Sequence, residues 1–156
     1  MIRWFANYAL LEEMTPDAIS EAIISGRMYE AFQVFGELVG FDFYVETSEG
    51  NYEMGDESPL SERPVFHLKV PHFHNIDPGL DEPEFILSLI KSGEYPGEVV
   101  AEATNAGIEY TADQPGVYRA EVRVVPHHLA PWFGSDADYF VREYPLILAN
   151  PIYVTE

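Results

Sequence analysis

Cysteine is absent from the 156 residues, which excludes disulfides, thiolate nucleophiles and cysteine-bound zinc. A chain without cysteine tolerates oxidising and reducing surroundings alike, so the compartment stays open. Basic residues are scarce: eight Lys and Arg stand against 27 Asp and Glu, a formal charge of −19. Such a surface repels phosphate backbones and anionic headgroups, which argues against nucleic acid and against a membrane as partners. Divalent cations, basic proteins and neutral substrates stay open, and the scattered acids also serve solubility. Long apolar runs are missing as well, none reaching the ~18 residues of a membrane-spanning helix. Behind Met1-Ile2-Arg3-Trp4 there is neither the apolar core nor the small-residue cleavage site of a signal peptide. A Gly-rich phosphate cradle, a Ser nucleophile elbow and a zinc-protease helix are absent too. The sequence therefore assigns no catalytic residue, no metal ligand and no cofactor to this chain.

What is present is 47% hydrophobic and 14% aromatic, enough to argue for a packed domain despite the charge. One helix is signposted: Thr15 as N-cap, Pro16 at the first helical position, Asp17 at the positive dipole end and Gly26 as C-terminal stop. Ile19, Ala22 and Ile23 share one face, and Met14 is placed to staple against Ile19, which predicts a short docked helix. Beyond Gly26 the period becomes two. Phe41, Phe43 and Val45 alternate with Asp42, Tyr44 and Glu46; Phe66, Leu68 and Val70 alternate with His67 and Lys69. Residues 85–90 read as a central strand, residues 99–103 and 108–111 as shorter ones. Tyr118, Ala120, Val122 and Val124 face one way, with Arg119, Glu121 and Arg123 facing the other. A last strand covers residues 146–154, with Pro151 at an edge or bulge.

Several short strands between Gly, Pro, Asn and Asp turns predict a mainly β fold, an antiparallel sandwich with a short N-terminal helix. Residues 1–26 form the N-terminal segment and helix, residues 27–156 the sandwich. Asp113-Gln114-Pro115-Gly116-Val117-Tyr118 reads as a tyrosine corner, which makes the expected sandwich immunoglobulin-like; Ala120 occupies the usual cysteine position.

The candidate sites are few. His72-Phe73-His74 puts two imidazoles on one face if extended, with Asp77 nearby, but Pro71 and Pro78 place the segment in a loop over residues 71–83. Solvated histidines are the expectation. His127 and His128 are adjacent, so a strand would separate them, and both are expected at the surface. Asp77, Asp81 and Glu82, and Asp136 with Asp138, cluster oxygens of the kind calcium favours without matching a calcium-loop motif. The strongest interaction candidate is the loop of residues 126–145, long for a compact sandwich. Its Trp132, Phe133 and Tyr139, beside Asp136 and Asp138, are the expected binding residues: a docking surface or edge cap, or else a platform on which a sugar stacks.

Several segments together resemble one family. Leu11-Glu12-Glu13-Met14-Thr15-Pro16-Asp17-Ala18-Ile19 and Ile23-Ile24-Ser25-Gly26-Arg27-Met28-Tyr29 are similar to the stretch that follows the catalytic domain in some PHP-superfamily metallohydrolases, a group including phosphoesterases and carbaryl-hydrolase-like enzymes. The likeness continues in order through Met54-Gly55-Asp56, Ile90-Lys91-Ser92-Gly93, Pro115-Gly116-Val117-Tyr118-Arg119-Ala120-Glu121-Val122 and Ala149-Asn150-Pro151-Ile152-Tyr153-Val154. It implies a β-sandwich accessory domain packed beside a metal-dependent hydrolase barrel and shaping its substrate entrance. Its partner would be that catalytic domain or another protein surface, with a second copy of the chain as a further candidate. The family's metal ligands lie in the barrel, so none is carried over. Residues 33–40, 71–83 and 126–145 depart from the pattern. The alternative is a freestanding carbohydrate- or calcium-binding module.

Overall fold

The computed structural model describes residues 4–94 and 96–156. Strand β1 (Ala6–Ala9) leads into helix α1 (Pro16–Ser25), and β2 (Met28–Ala31) returns antiparallel to β1. There follow β3 (Leu38–Val39), β4 (Asp42–Glu46), β5 (Asn51–Glu53), β6 (Glu57–Pro59), β7 (Val65–Lys69) and β8 (His72–Phe73). The longer strands come next: β9 (Glu84–Lys91), β10 (Glu98–Thr104), β11 (Ile108–Thr111) and β12 (Gly116–Val125). A helical excursion separates these from β13 (Tyr144–Ala149) and β14 (Ile152–Thr155).

The larger sheet is built around β12. One of its edges pairs with β9, which pairs on to β10; the other takes β13 and β14 end to end. β2 and β1 extend the sheet beyond β13, and β6 lies beside β14 in parallel, whereas the other pairs in this sheet are antiparallel. The smaller sheet runs β11-β7-β4-β5, and β3 with β8 makes a short ribbon. The fold is mainly β, two antiparallel sheets against one core with a short N-terminal helix.

Alternation explains the core. Phe43, Val45, Phe66 and Leu68 from the smaller sheet and Leu87, Leu89, Tyr118, Ala120, Val122 and Val124 from the larger one are buried. The Phe66 and Tyr118 rings meet across the layers at 4.8 Å. Each such aliphatic or aromatic side chain contributes roughly 1.5–3 kcal/mol when fully buried. On the outer face the polar half of the same alternation pairs up: Arg123 reaches Glu102 at 2.7 Å and Glu143 at 2.6 Å, and Arg119 reaches Glu121 at 2.9 Å. The Tyr118 hydroxyl donates to the Gln114 carbonyl at 2.9 Å, four residues upstream, which is the hydrogen bond of a tyrosine corner. Burial, with smaller contributions from Tyr110, Asp113 and Glu98, pushes its phenol up to about 12.

The helix ends are as the sequence implies: Thr15 Oγ accepts from Ala18 N at 3.2 Å, and Gly26 takes φ 77°. Its face is not. Ala22 is buried, but Ile19, Ile23 and Ile24 are 38%, 55% and 86% exposed, and Met14, at 84%, staples nothing. The helix is held instead by its C-terminus. A Cβ on Gly55 would lie 1.8 Å from the Ser25 carbonyl oxygen, so only glycine allows that approach. Around this contact Asn150 Nδ2 donates to Gly26 O, Gly55 N to Pro151 O, Tyr153 N to Asp56 O, and Arg27 pairs with Asp56 at 3.3 Å.

Other expectations are refined. The strand expected over 146–154 is two strands, broken at Asn150-Pro151 where proline has no N–H to give the ladder. Residues 71–83 are not wholly loop, since β8 pairs with β3 there. Residues 1–26 contribute β1 as the outermost strand of the larger sheet.

Candidate functional site

The segment between β12 and β13 is helical, contrary to the loop read from sequence. A 3₁₀ turn at His127–Leu129 runs into α2 (Ala130–Phe133), a second turn at Gly134–Asp136 and α3 (Ala137–Phe140). Pieces this short carry no sustained periodicity, which is why the pattern of the sequence does not show them.

One end of the excursion is anchored in the core. His128 is buried, where a surface position was expected, because the 3₁₀ turn directs it inward instead of alternating it outward as a strand would. Its Nε2 lies 2.8 Å from the Phe35 carbonyl oxygen. A carbonyl only accepts, so Nε2 donates to it, while Nδ1 is buried with no partner among the described residues. The ring also packs on Phe73 at 5.0 Å.

The other end presents aromatic surface. Trp132 is 68% exposed and Tyr139 65%, whereas Phe133 is half-buried and stacks on Phe140 at 5.0 Å. Tyr139 meets Phe140 edge-on at 5.0 Å. The Arg142 guanidinium lies over both Tyr139 and Tyr144, 5.3 and 5.4 Å from the ring centres, and its Nε donates to the Tyr144 hydroxyl at 3.2 Å. Tyr144 in turn packs on Phe35 at 5.3 Å. The exposed Tyr139 ring thus stands on a connected base of stacking and cation–π contacts, each worth roughly 0.5–1.5 kcal/mol. Asp136 and Asp138 are exposed on the same excursion. Trp132, Asp136, Asp138 and Tyr139 of the five expected residues are exposed, and Phe133 is half-buried. The edge-cap reading accounts for half-buried Phe133 better than for Trp132 and Tyr139, which are largely exposed.

The other candidates stand apart. His72 and His74 are both exposed on either side of buried Phe73, but β8 ends at Phe73 and His74 opens a turn, so the segment is not extended throughout. Among the described residues no three His, Asp or Glu side chains converge as a metal site. Asp77 instead accepts from Gly79 N at 2.9 Å, closing its own turn. A concavity bounded by His72, Asp77 and Phe85 was not read from sequence at all, because its walls come from segments separated by a turn.

No protein-family model matches the chain, and no curated protein or solved structure matches it either.

Proposed function

We propose that this chain is a noncatalytic accessory domain, an immunoglobulin-like sandwich that docks on a protein partner through Trp132, Phe133 and Tyr139. The observation that carries this reading is the exposure of Trp132 and of Tyr139, the latter on a base already ordered by Phe133, Phe140 and Arg142. Large aromatics that cost little ordering on binding are the usual anchors of interfaces. The immunoglobulin-like assignment is supported by the placement of β4, β7 and β11 in one sheet and β9, β10, β12 and β13 in the other, with the corner at Tyr118.

A metal-dependent hydrolase barrel of the PHP type is the partner that the ordered sequence likeness suggests. Three of the matching segments, around Gly26, Gly55 and Asn150, meet at one junction of the fold, so a common structural requirement accounts for their occurring together. A partner with basic residues is favoured over a second copy, because a charge of −19 on each chain opposes self-association. The exposed Trp132 beside Asp136 and Asp138 also supports a second reading, a sugar platform.

Tryptophan fluorescence in a Trp4→Phe background separates the two. With a PHP-type barrel added in trans, Trp132 emission should shift to the blue, and Trp132→Ala should weaken association about tenfold. Neutral oligosaccharides should leave the emission unchanged. A saturable response to one of them, lost in Asp138→Ala, would replace docking with sugar binding.

A further inference from the structure

Between β8, residues 76–83 and the start of β9 lies a concavity of about 440 Å³, within the range of small-ligand sites. The Phe73 and Phe85 rings, 5.4 Å apart, are buried beneath it, and Val70, Ile76 and Leu80 add apolar wall. His72, Asp77, Glu82 and Asn105 supply the polar part of the lining. Asn105 is fixed: its Oδ1 accepts from Phe85 N and its own N donates to Phe85 O, both at 2.8 Å, which leaves its Nδ2 as a donor. Asp77 commits one oxygen to Gly79 N.

The charge of the lining is one-sided. It holds two carboxylates and no Lys or Arg. The ion pairs of Arg27, Lys69, Arg119 and Arg123 are all made to carboxylates elsewhere. An anionic ligand is repelled here, and a purely apolar one leaves the carboxylates unused. A bare metal ion lacks a converging ligand set among the described residues. What fits both the aromatic floor and the acidic rim is a cation carried on an apolar stem, drawn further by the field of a −19 chain.

We propose that this concavity binds a small organic cation, an ammonium or guanidinium on a short aliphatic or aromatic stem. The stem lies against Phe73, Phe85, Ile76 and Leu80, and the cation lies at the rim formed by Asp77 and Glu82. The site is separate from the aromatic excursion, so it stands or falls independently of the docking reading.

The test is a titration with phenethylammonium and with phenethyl alcohol, its neutral counterpart, following backbone amide shifts by NMR. The ammonium should give saturable shifts confined to Ile76, Leu80, Phe85 and their neighbours, and the alcohol should bind about tenfold more weakly. Asp77→Asn/Glu82→Gln should weaken the ammonium by about tenfold as well. Both residues are exposed and Asn keeps an acceptor for Gly79 N, so the fold is preserved. Glu49→Gln/Glu94→Gln, at exposed residues outside the lining, changes the net charge equally and should leave binding as it was. The proposal is overturned by shifts that do not saturate, by equal binding of the alcohol, or by equal weakening in the two double variants.

Discussion

Tyr118 joins a ring packed between the sheets to a hydroxyl that fastens the Gln114 carbonyl, and the two parts separate by substitution. Tyr118→Phe keeps the ring and should lower stability by about 1 kcal/mol. Tyr118→Ala removes the ring and should lower it by about 3–5 kcal/mol, as for other buried aromatics. Unchanged denaturant midpoints for both would show that the corner carries no weight. The phenol also fixes a pH dependence. It titrates near 10.0 unfolded and about 12 folded, so the folded state holds the proton more tightly. Stability from this group is complete below the lower value and is lost as pH climbs through the higher one. Tyr118→Phe should flatten that alkaline decline without abolishing it, since burial, then Tyr8 and Asp42, push Tyr29 to about 12 as well. Tyr118 was legible because a Pro-Gly turn precedes it by a fixed interval. His128 was not, because adjacency of two histidines says nothing about which one a 3₁₀ turn buries.

At the scale of elements, α1 gains more from its ends than from its face. Gly55→Ala brings a methyl against the Ser25 carbonyl at a φ of 89°, and should cost roughly 3 kcal/mol in chemical denaturation. Gly93, with open space around it, is the control and should tolerate alanine with little change. Thr15→Ala should cost about 1 kcal/mol through the lost cap. If Gly55→Ala proves neutral, the helix is not held where the geometry places it. The caps of α1 could be read from sequence because they are local chemistry. Its orientation could not, since the apolar stripe of Ile19 and Ile23 is mostly turned to solvent. The strands with clear alternation, β4, β7 and β12, were legible for the same local reason, and β9 from its nearly continuous apolar run. β1, β2, β3, β6 and β8 are two to four residues long and exist by virtue of their partners. The aromatic residues of the excursion were found by composition and loop length, whereas the concavity at Phe73 and Phe85 required the fold.

Over the whole molecule the dominant quantity is charge. Eight basic residues cannot neutralise 27 acidic ones, so the folded chain carries an uncompensated self-repulsion. Added NaCl shortens the range of that repulsion from about 30 Å at 0.01 M to about 10 Å at 0.1 M. The melting temperature should therefore rise with salt in calorimetry, even though the Arg123 pairs are screened at the same time. A fall would mean that such pairs outweigh the net charge.

The junction that joins Gly26 to Asn150 has a consequence for synthesis. Those residues lie 124 positions apart, and β2 pairs with β13 across a similar span. During translation β2 is made early and keeps one edge open until β13 leaves the ribosome, roughly 6–25 s later at 5–20 residues per second. Throughout that interval only β1 accompanies it, and an open strand edge is a template for foreign strands. The two strands that complete the sheet, β13 and β14, come after β1 to β12 in chain order, so closure of the sandwich waits until both have been made.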